Sequence, residues 1–299
     1  MKNLWSWKNH QISWHVKNES EAKSIAIVLI HGFGASKDHW RFNQKVFGTI
    51  TPCYALDLIG FGESSQPISN LQYERNLPNS FFYSFDKWSD QIIDFCNEIV
   101  QKPVLLVGNS IGAVIALNAS EKISNGCKGV VLIDCAQRTM DDKRLGEQSL
   151  VMRFIRPVMK TLVRQRFLSE RIFKNAANPN FIKKILEIAY PSGNNIDEEL
   201  IKILYKPTQR VGAAEAFRGF INLFNDHLAS DLLKNLKIPV YLIWGEKDPW
   251  EPIDEAKRWA REYKCIQSLD VILNAGHCPH DEKPEEVNPI ISRIIQEAI

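Results

Sequence analysis

The chain has 299 residues, 44% of them hydrophobic and 24% charged. That length allows one large domain with an insertion or two ordinary domains, and the composition excludes a disordered or fibrous chain. With 37 Lys plus Arg against 35 Asp plus Glu, the formal charge of +2 provides no overall attraction to nucleic acid.

Two strands open the chain, Trp5 to Trp7 and Gln11 to Val16, joined by a turn at Lys8 to His10 as an antiparallel edge. Short runs rich in β-branched residues then recur between helical patterns: Ile25 to Ile30, Tyr54 to Asp57, Val104 to Val107, Val130 to Asp134, Val240 to Trp244 and Val271 to Leu273. They are nearly all apolar rather than alternating, as strands covered on both faces are, so a mostly parallel, doubly wound α/β sheet is expected. Helices are expected over Asp86 to Val100, Ser110 to Ile123, Asp254 to Lys264 and from Pro284 to the C-terminus, where proline suits a first helical position.

The interval from Gln137 to Leu236 breaks this rhythm, with helical periodicity and no convincing strand. It reads as an inserted helical cap, residues 137–236, on a core formed by 1–136 and 237–299. Phe181, Ile182, Ile185, Leu186 and Ala189 share one helical face, as do Phe217, Phe220, Ile221 and Phe224. The interval holds 17 Lys plus Arg and 11 Asp plus Glu, so the basic charge is concentrated there. A solvated surface accounts for that charge; the sharper reading is a peripheral contact with anionic lipid, or with an acidic substrate.

The six cysteines, at 53, 96, 127, 135, 265 and 278, form no CxxC pair and mostly interrupt apolar runs. Such usage points to reduced, buried thiols, with neither a disulfide framework nor a zinc site. The start lacks the apolar core of a secretory signal and no run approaches a membrane span, so a cytoplasmic protein is expected, free or membrane-peripheral.

The strand Val104 to Val107 leads into Gly108-Asn109-Ser110-Ile111-Gly112 and then a helix, the strand, sharp turn and helix that a nucleophile elbow requires. A hydroxyl is a weak nucleophile, so Ser110 needs a base, and the base needs a third group to hold its tautomer. His277, in Asn274-Ala275-Gly276-His277, is the candidate base, and Asp248, in Trp244-Gly245-Glu246-Lys247-Asp248-Pro249, the candidate acid. Both follow strand ends, where sites of open parallel sheets lie. His31-Gly32-Phe33-Gly34 follows an early strand, so the backbone N–H groups of Phe33 and Ile111 can form an oxyanion hole.

Rivals exist for each role. Asp134 ends the strand before the interval and is the alternative acid; His280 is the alternative base, although glycine directly before His277 favours the latter. His31 is expected to stabilise its loop, Asp57 to organise Gly60-Phe61-Gly62, and Cys278 to pack. Glu246, Glu251 and Asp254 make no metal spacing with a histidine, and neither metal nor cofactor is expected.

The segments HGFGAS, LDLIGFGESSQP, VGNSIGA, WGEKDPWEPID and AGHCPHDEKPEEVN resemble the α/β-hydrolases along almost the whole chain outside the cap. More narrowly, the GNS elbow and GHCPHDE resemble the plant and cyanobacterial subgroup that includes pheophytinase and chlorophyll dephytylase. The resemblance implies an α/β-hydrolase fold and a Ser110, Asp248, His277 triad; in that subgroup the scissile ester joins a phytyl chain to a chlorophyll-type ring. Ala113 departs from many relatives, in which a second glycine follows the elbow.

The expected function is hydrolysis of an apolar carboxylic ester, a small-molecule substrate, through an acyl-enzyme on Ser110. Rival readings are a ligand receptor on the same fold, a perhydrolase and a carbon-carbon bond hydrolase.

Overall fold

The computed structural model describes residues 3–18, 24–72, 74, 75 and 77–299. Its centre is an eight-stranded sheet: β1 (Asn3–Trp7), β2 (His10–Lys17), β3 (Ala26–Ile30), β4 (Cys53–Leu56), β5 (Val104–Asn109), β6 (Cys127–Ile133), β7 (Val240–Gly245) and β8 (Ile266–Ile272). The spatial order is β1-β2-β4-β3-β5-β6-β7-β8. β1 and β2 run antiparallel at one edge and the rest are parallel.

The hairpin turn is tighter than expected: His10 pairs with Trp7, leaving Lys8 and Asn9, both at positive φ, as a two-residue loop. β8 also departs from its expected span, starting at Ile266 and ending before Leu273. As an edge strand it is only partly covered, so Gln267, Ser268 and Asp270 interrupt the apolar run that marks the inner strands. A short parallel pair, Ile68–Ser69 with Ser80–Phe81, was not foreseen because two residues carry no periodicity.

α1 (Phe85–Phe95) begins at Ser84, whose hydroxyl accepts from the Lys87 amide, and continues as a π-helical turn to Val100. α2 (Ile111–Ser120) is buried along its whole length. Together they cover one face of the sheet. The C-terminal helix Pro284–Ala298 covers the other, setting Val287, Ile291 and Ile294 against Ile27, Leu29 and Val107.

Among the described residues the stretch 137–236 contains helices and no strand. The longer ones are α3 (Leu150–Arg164), α4 (Arg166–Ala176), α5 (Pro179–Ala189), α6 (Glu198–Thr208) and α7 (Ala213–Ile221). The two apolar faces read from the sequence turn inward only in part: Ile185, Leu186, Phe220 and Ile221 line a cavity, whereas Phe181 stays exposed. No helix among the described residues is long and apolar enough to cross a membrane.

Register brings the strand ends into line. Ile30 pairs with Gly108, Asn109 with Ile133, Ile133 with Ile243, and Gly245 with Ile272. The loops that follow therefore leave from one edge of the sheet, and they carry His31 to Gly34, Ser110, Asp134, Asp248 and His277.

Candidate active site

Ser110 joins β5 to α2 at φ 56 and ψ −119, a conformation sterically unfavourable for a residue with a Cβ. Its amide donates to Ile133 O (2.9 Å), and its carbonyl accepts from Ala113 and Ala136. The flanking glycines permit this turn. A Cβ on Gly108 would lie 2.3 Å from Gly112 O, and one on Gly112 2.3 Å from Ile30 O. Ile111 opens α2, so its N–H belongs to the first turn that a helix leaves unpaired.

His277 and Ser110 line the same cavity, of about 530 Å³. His277 Nδ1 lies 2.8 Å from Asp248 Oδ2. The other Asp248 oxygen accepts from the amides of Trp250 (2.9 Å) and Glu251 (3.1 Å). Burial works to raise the Asp248 pKa, but the hydrogen bond and charge of His277 outweigh it, holding the carboxyl below its ordinary value. The edge of the Trp250 ring packs on the imidazole, with centroids 4.9 Å apart.

Asp134, the alternative acid, lies behind Asp248: His277 pairs with Asp248, while Asp134 Oδ1 accepts from Gly245 N at 3.0 Å. Burial, reinforced by the Asp248 charge, pushes the Asp134 pKa well above the carboxylate range. His280 does not line the cavity but is buried behind its wall against His39 and Trp40, with neither ring nitrogen hydrogen-bonded. Cys278 does line the cavity, but burial drives its thiol pKa well up, away from the nucleophilic thiolate.

His31 braces its loop. Its Nε2 accepts from Leu58 N (3.0 Å), its Nδ1 lies 2.8 Å from Gly32 O, and burial lowers its pKa to about 4. Asp57 accepts from the amides of Lys37 and Glu63 and from Lys37 Nζ, which fixes the turn around Gly62. Phe33 also lines the cavity, stacked on Phe220 with centroids 4.0 Å apart.

Several contributors were not singled out from the sequence. Asn109 donates through Nδ2 to Ile133 O (3.2 Å) and His277 O (3.0 Å), tying the serine turn to the histidine loop. His39 and Tyr190 meet at 2.8 Å in the cavity wall, and Tyr190 donates onward to Asp281. Glu251 lines the wall near His277; burial raises its pKa to about 7. The glutamate of the WEPID run and the asparagine of the GNS turn are visible as letters, but their partners are distant in sequence. Among the described residues no group of three His, Cys, Asp or Glu side chains could hold a metal ion.

A model described as the alpha/beta hydrolase family matches residues 27–290, and the chain belongs to that family. Within it, the chain resembles the pheophytinase subgroup. It is 26% identical over 290 residues to the chloroplastic pheophytinase of Arabidopsis thaliana, covering 88% of this chain and 59% of that protein. The chain thus spans less than two thirds of the plant relative. It is also 26% identical to the uncharacterized hydrolase YugF of Bacillus subtilis, covering 90% of this chain and 89% of the relative. In architecture it is similar to the epoxide hydrolase CorEH, with a TM-score of 0.78, 15% identity and coverage of 100% and 99%. An esterase from Thermogutta terrifontis aligns with a TM-score of 0.70, 20% identity and coverage of 100% and 99%.

Proposed function

We propose that the chain is a serine esterase for an apolar carboxylic ester, with Ser110 as nucleophile, His277 as base and Asp248 as the group that orients it. The observation that carries this reading is the Asp248 to His277 contact of 2.8 Å in the wall of a cavity that also receives the strained Ser110.

In the first half-reaction His277 Nε2 takes the Ser110 proton as Oγ bonds to the ester carbonyl carbon. The carbonyl electrons move to oxygen, where the N–H groups of Phe33 and Ile111 receive them. The intermediate collapses, the alcohol leaves with the proton from His277, and the acyl group remains on Oγ. Water, deprotonated by His277, repeats the sequence and releases the acid.

Residues 137–236 form a cap on a core of 1–136 and 237–299, and the cap contributes the cavity wall opposite Ser110 through Leu186, Phe220 and Phe224. An apolar wall of that size suits a lipid-like ester. A phytyl-type alcohol fits this reading, supported by the likeness to pheophytinase. An ester of this kind partitions into membranes, and the excess of basic charge over residues 137–236 makes the cap the part suited to meet one. The six free cysteines favour a reducing compartment such as the cytoplasm.

A fluorophosphonate probe tests the nucleophile: labelling at Ser110, and loss of label and of ester turnover in a folded Ser110→Ala variant, are expected. Label at another residue, or turnover that survives the substitution, overturns the assignment. A panel containing phytylated pigments and short-chain esters then reports the alcohol preference.

A further inference from the structure

α3 is turned inside out. Along its 15 residues, Leu150, Phe154, Val158 and Leu162 form one column at i, i+4, i+8 and i+12, flanked by Val151 and Ile155. In an ordinary surface helix this stripe would face the core. Here it faces solvent: Leu150 is 69% exposed, Phe154 81% and Val158 60%, while Arg156 on the opposite side is 3% exposed. The inward face is the charged one, with Arg156 donating to Met140 O and both Arg156 and Lys160 paired with Asp142. The next helix continues the outer surface with exposed Phe167 and Ile172.

Two ion pairs and a carbonyl bond hold α3 in this orientation, so the outward stripe is fixed and not a result of free rotation. Isolated exposed apolar residues are ordinary, but a contiguous stripe of this length marks a contact surface.

Charge identifies the contact. Residues 149–176 carry seven Lys or Arg and one acidic residue, Glu170. Arg153 and Arg164 on α3 and Arg171 on α4 are exposed as well. Apolar side chains flanked by arginines, on a helix lying flat on the surface, match the interface of an anionic bilayer: the apolar groups enter the acyl boundary and the guanidinium groups meet lipid phosphates. The inner side of α3 rests on the cavity wall, with Lys160 Nζ 4.7 Å from the Phe224 ring centroid. A bilayer held by α3 would thus lie about one helix diameter, roughly 10 Å, from the cavity.

We infer that α3 and the start of α4 dock this protein onto an anionic lipid surface, with Leu150, Phe154, Val158 and Leu162 buried in it. This binding is independent of the ester chemistry, and its readout needs no turnover.

The test is flotation of the full chain with phosphatidylcholine vesicles, with and without about one-third phosphatidylglycerol. The wild type should float with the anionic vesicles. Phe154→Glu combined with Val158→Glu should lower the partition coefficient at least about tenfold, with the thermal midpoint retained because both side chains are exposed. Arg153→Gln with Arg171→Gln should weaken anionic binding while leaving the small neutral-vesicle fraction unchanged. Absence of wild-type flotation, or equal flotation of the Phe154→Glu, Val158→Glu variant, overturns the inference. So does a wild-type dimer in light scattering that the same variant converts to monomer, because a second copy would then cover the face.

Discussion

Asp134 and Asp248 bring two interacting carboxyl groups together behind the His277 imidazole: burial, reinforced by the Asp248 charge, pushes the Asp134 pKa well above the carboxylate range, while contact with His277 holds that of Asp248 below its ordinary value. Asp134 is wholly buried, and its Oδ1 already accepts from Gly245. Its other oxygen is buried without a hydrogen-bond partner, a position in which a carboxylate charge is costly and the protonated form is favoured. A neutral Asp134 leaves the negative charge on Asp248, where it faces His277.

That arrangement has a signature in stability. A carboxyl whose folded-state pKa is raised keeps a proton that the unfolded chain has released, so stability falls as pH climbs above the unfolded value of about 4. Asp134→Asn offers an amide N–H to Asp248 and a carbonyl to Gly245 without titrating. Urea midpoints measured at about pH 5 and about pH 8 should show the variant gaining on the wild type as pH rises. A difference that stays constant across that range would show that Asp134 is ionised in the folded protein.

Glu251 supplies a second titration inside the cavity. Its Oε2 accepts from Gln137 N at 2.8 Å, and burial raises its pKa to about 7. Above that pH a negative charge appears in the cavity wall. For an ester carrying a carboxylate, KM relative to a matched neutral ester should rise about tenfold across neutrality. In Glu251→Gln, where the amide oxygen still accepts from Gln137, the ratio should be flat. A pH-dependent ratio that survives in the variant would place the titrating group elsewhere.

The class of sheet and the positions of its inner strands were legible because parallel inner strands must be apolar on both faces, as β3, most of β5 and Gly129–Ile133 of β6 are, whereas the order of the strands carries no such mark. β8 was misplaced because an edge strand is exempt from that requirement. Ser110 and His277 stood out through glycines that backbone crowding demands, but Asp248 and Asp134 both follow strand ends, and what favours Asp248 is its contact with Nδ1 of His277, which no local pattern encodes. Asn109 was not legible for a different reason, since its two acceptors are carbonyls 24 and 168 residues away. Asn109→Ala would leave His277 O short of its donor, while Ile133 O keeps the Ser110 amide, a destabilisation of about 1–3 kcal/mol if unrelieved. Chemical denaturation should register that loss, and kcat should fall with it because the serine turn and histidine loop lose their tie. An unchanged denaturation midpoint would show that water replaces the amide.

The position of His277 depends on chain that lies far from it in sequence. Its amide donates to Ala189 O at the end of α5, and the Gly276 amide donates to Glu282 Oε2, which in turn shares its carboxyl with Ser192. Gly276 fills the space between: a Cβ there would lie 2.1 Å from Ala189 O and 2.5 Å from Pro191 Cδ. Backbone oxygen cannot yield as a side chain can, so Gly276→Ala must move the histidine loop or α5. The expected stability loss is about 1–3 kcal/mol, the range for overpacking. Displacing the imidazole by about 1 Å from Ser110 should lower kcat by roughly a hundredfold with KM little changed, because the cavity that holds substrate is built mainly by other residues. Full kcat in this variant, measured below its thermal midpoint, would show that the loop tolerates displacement and that contact with α5 does not set the histidine.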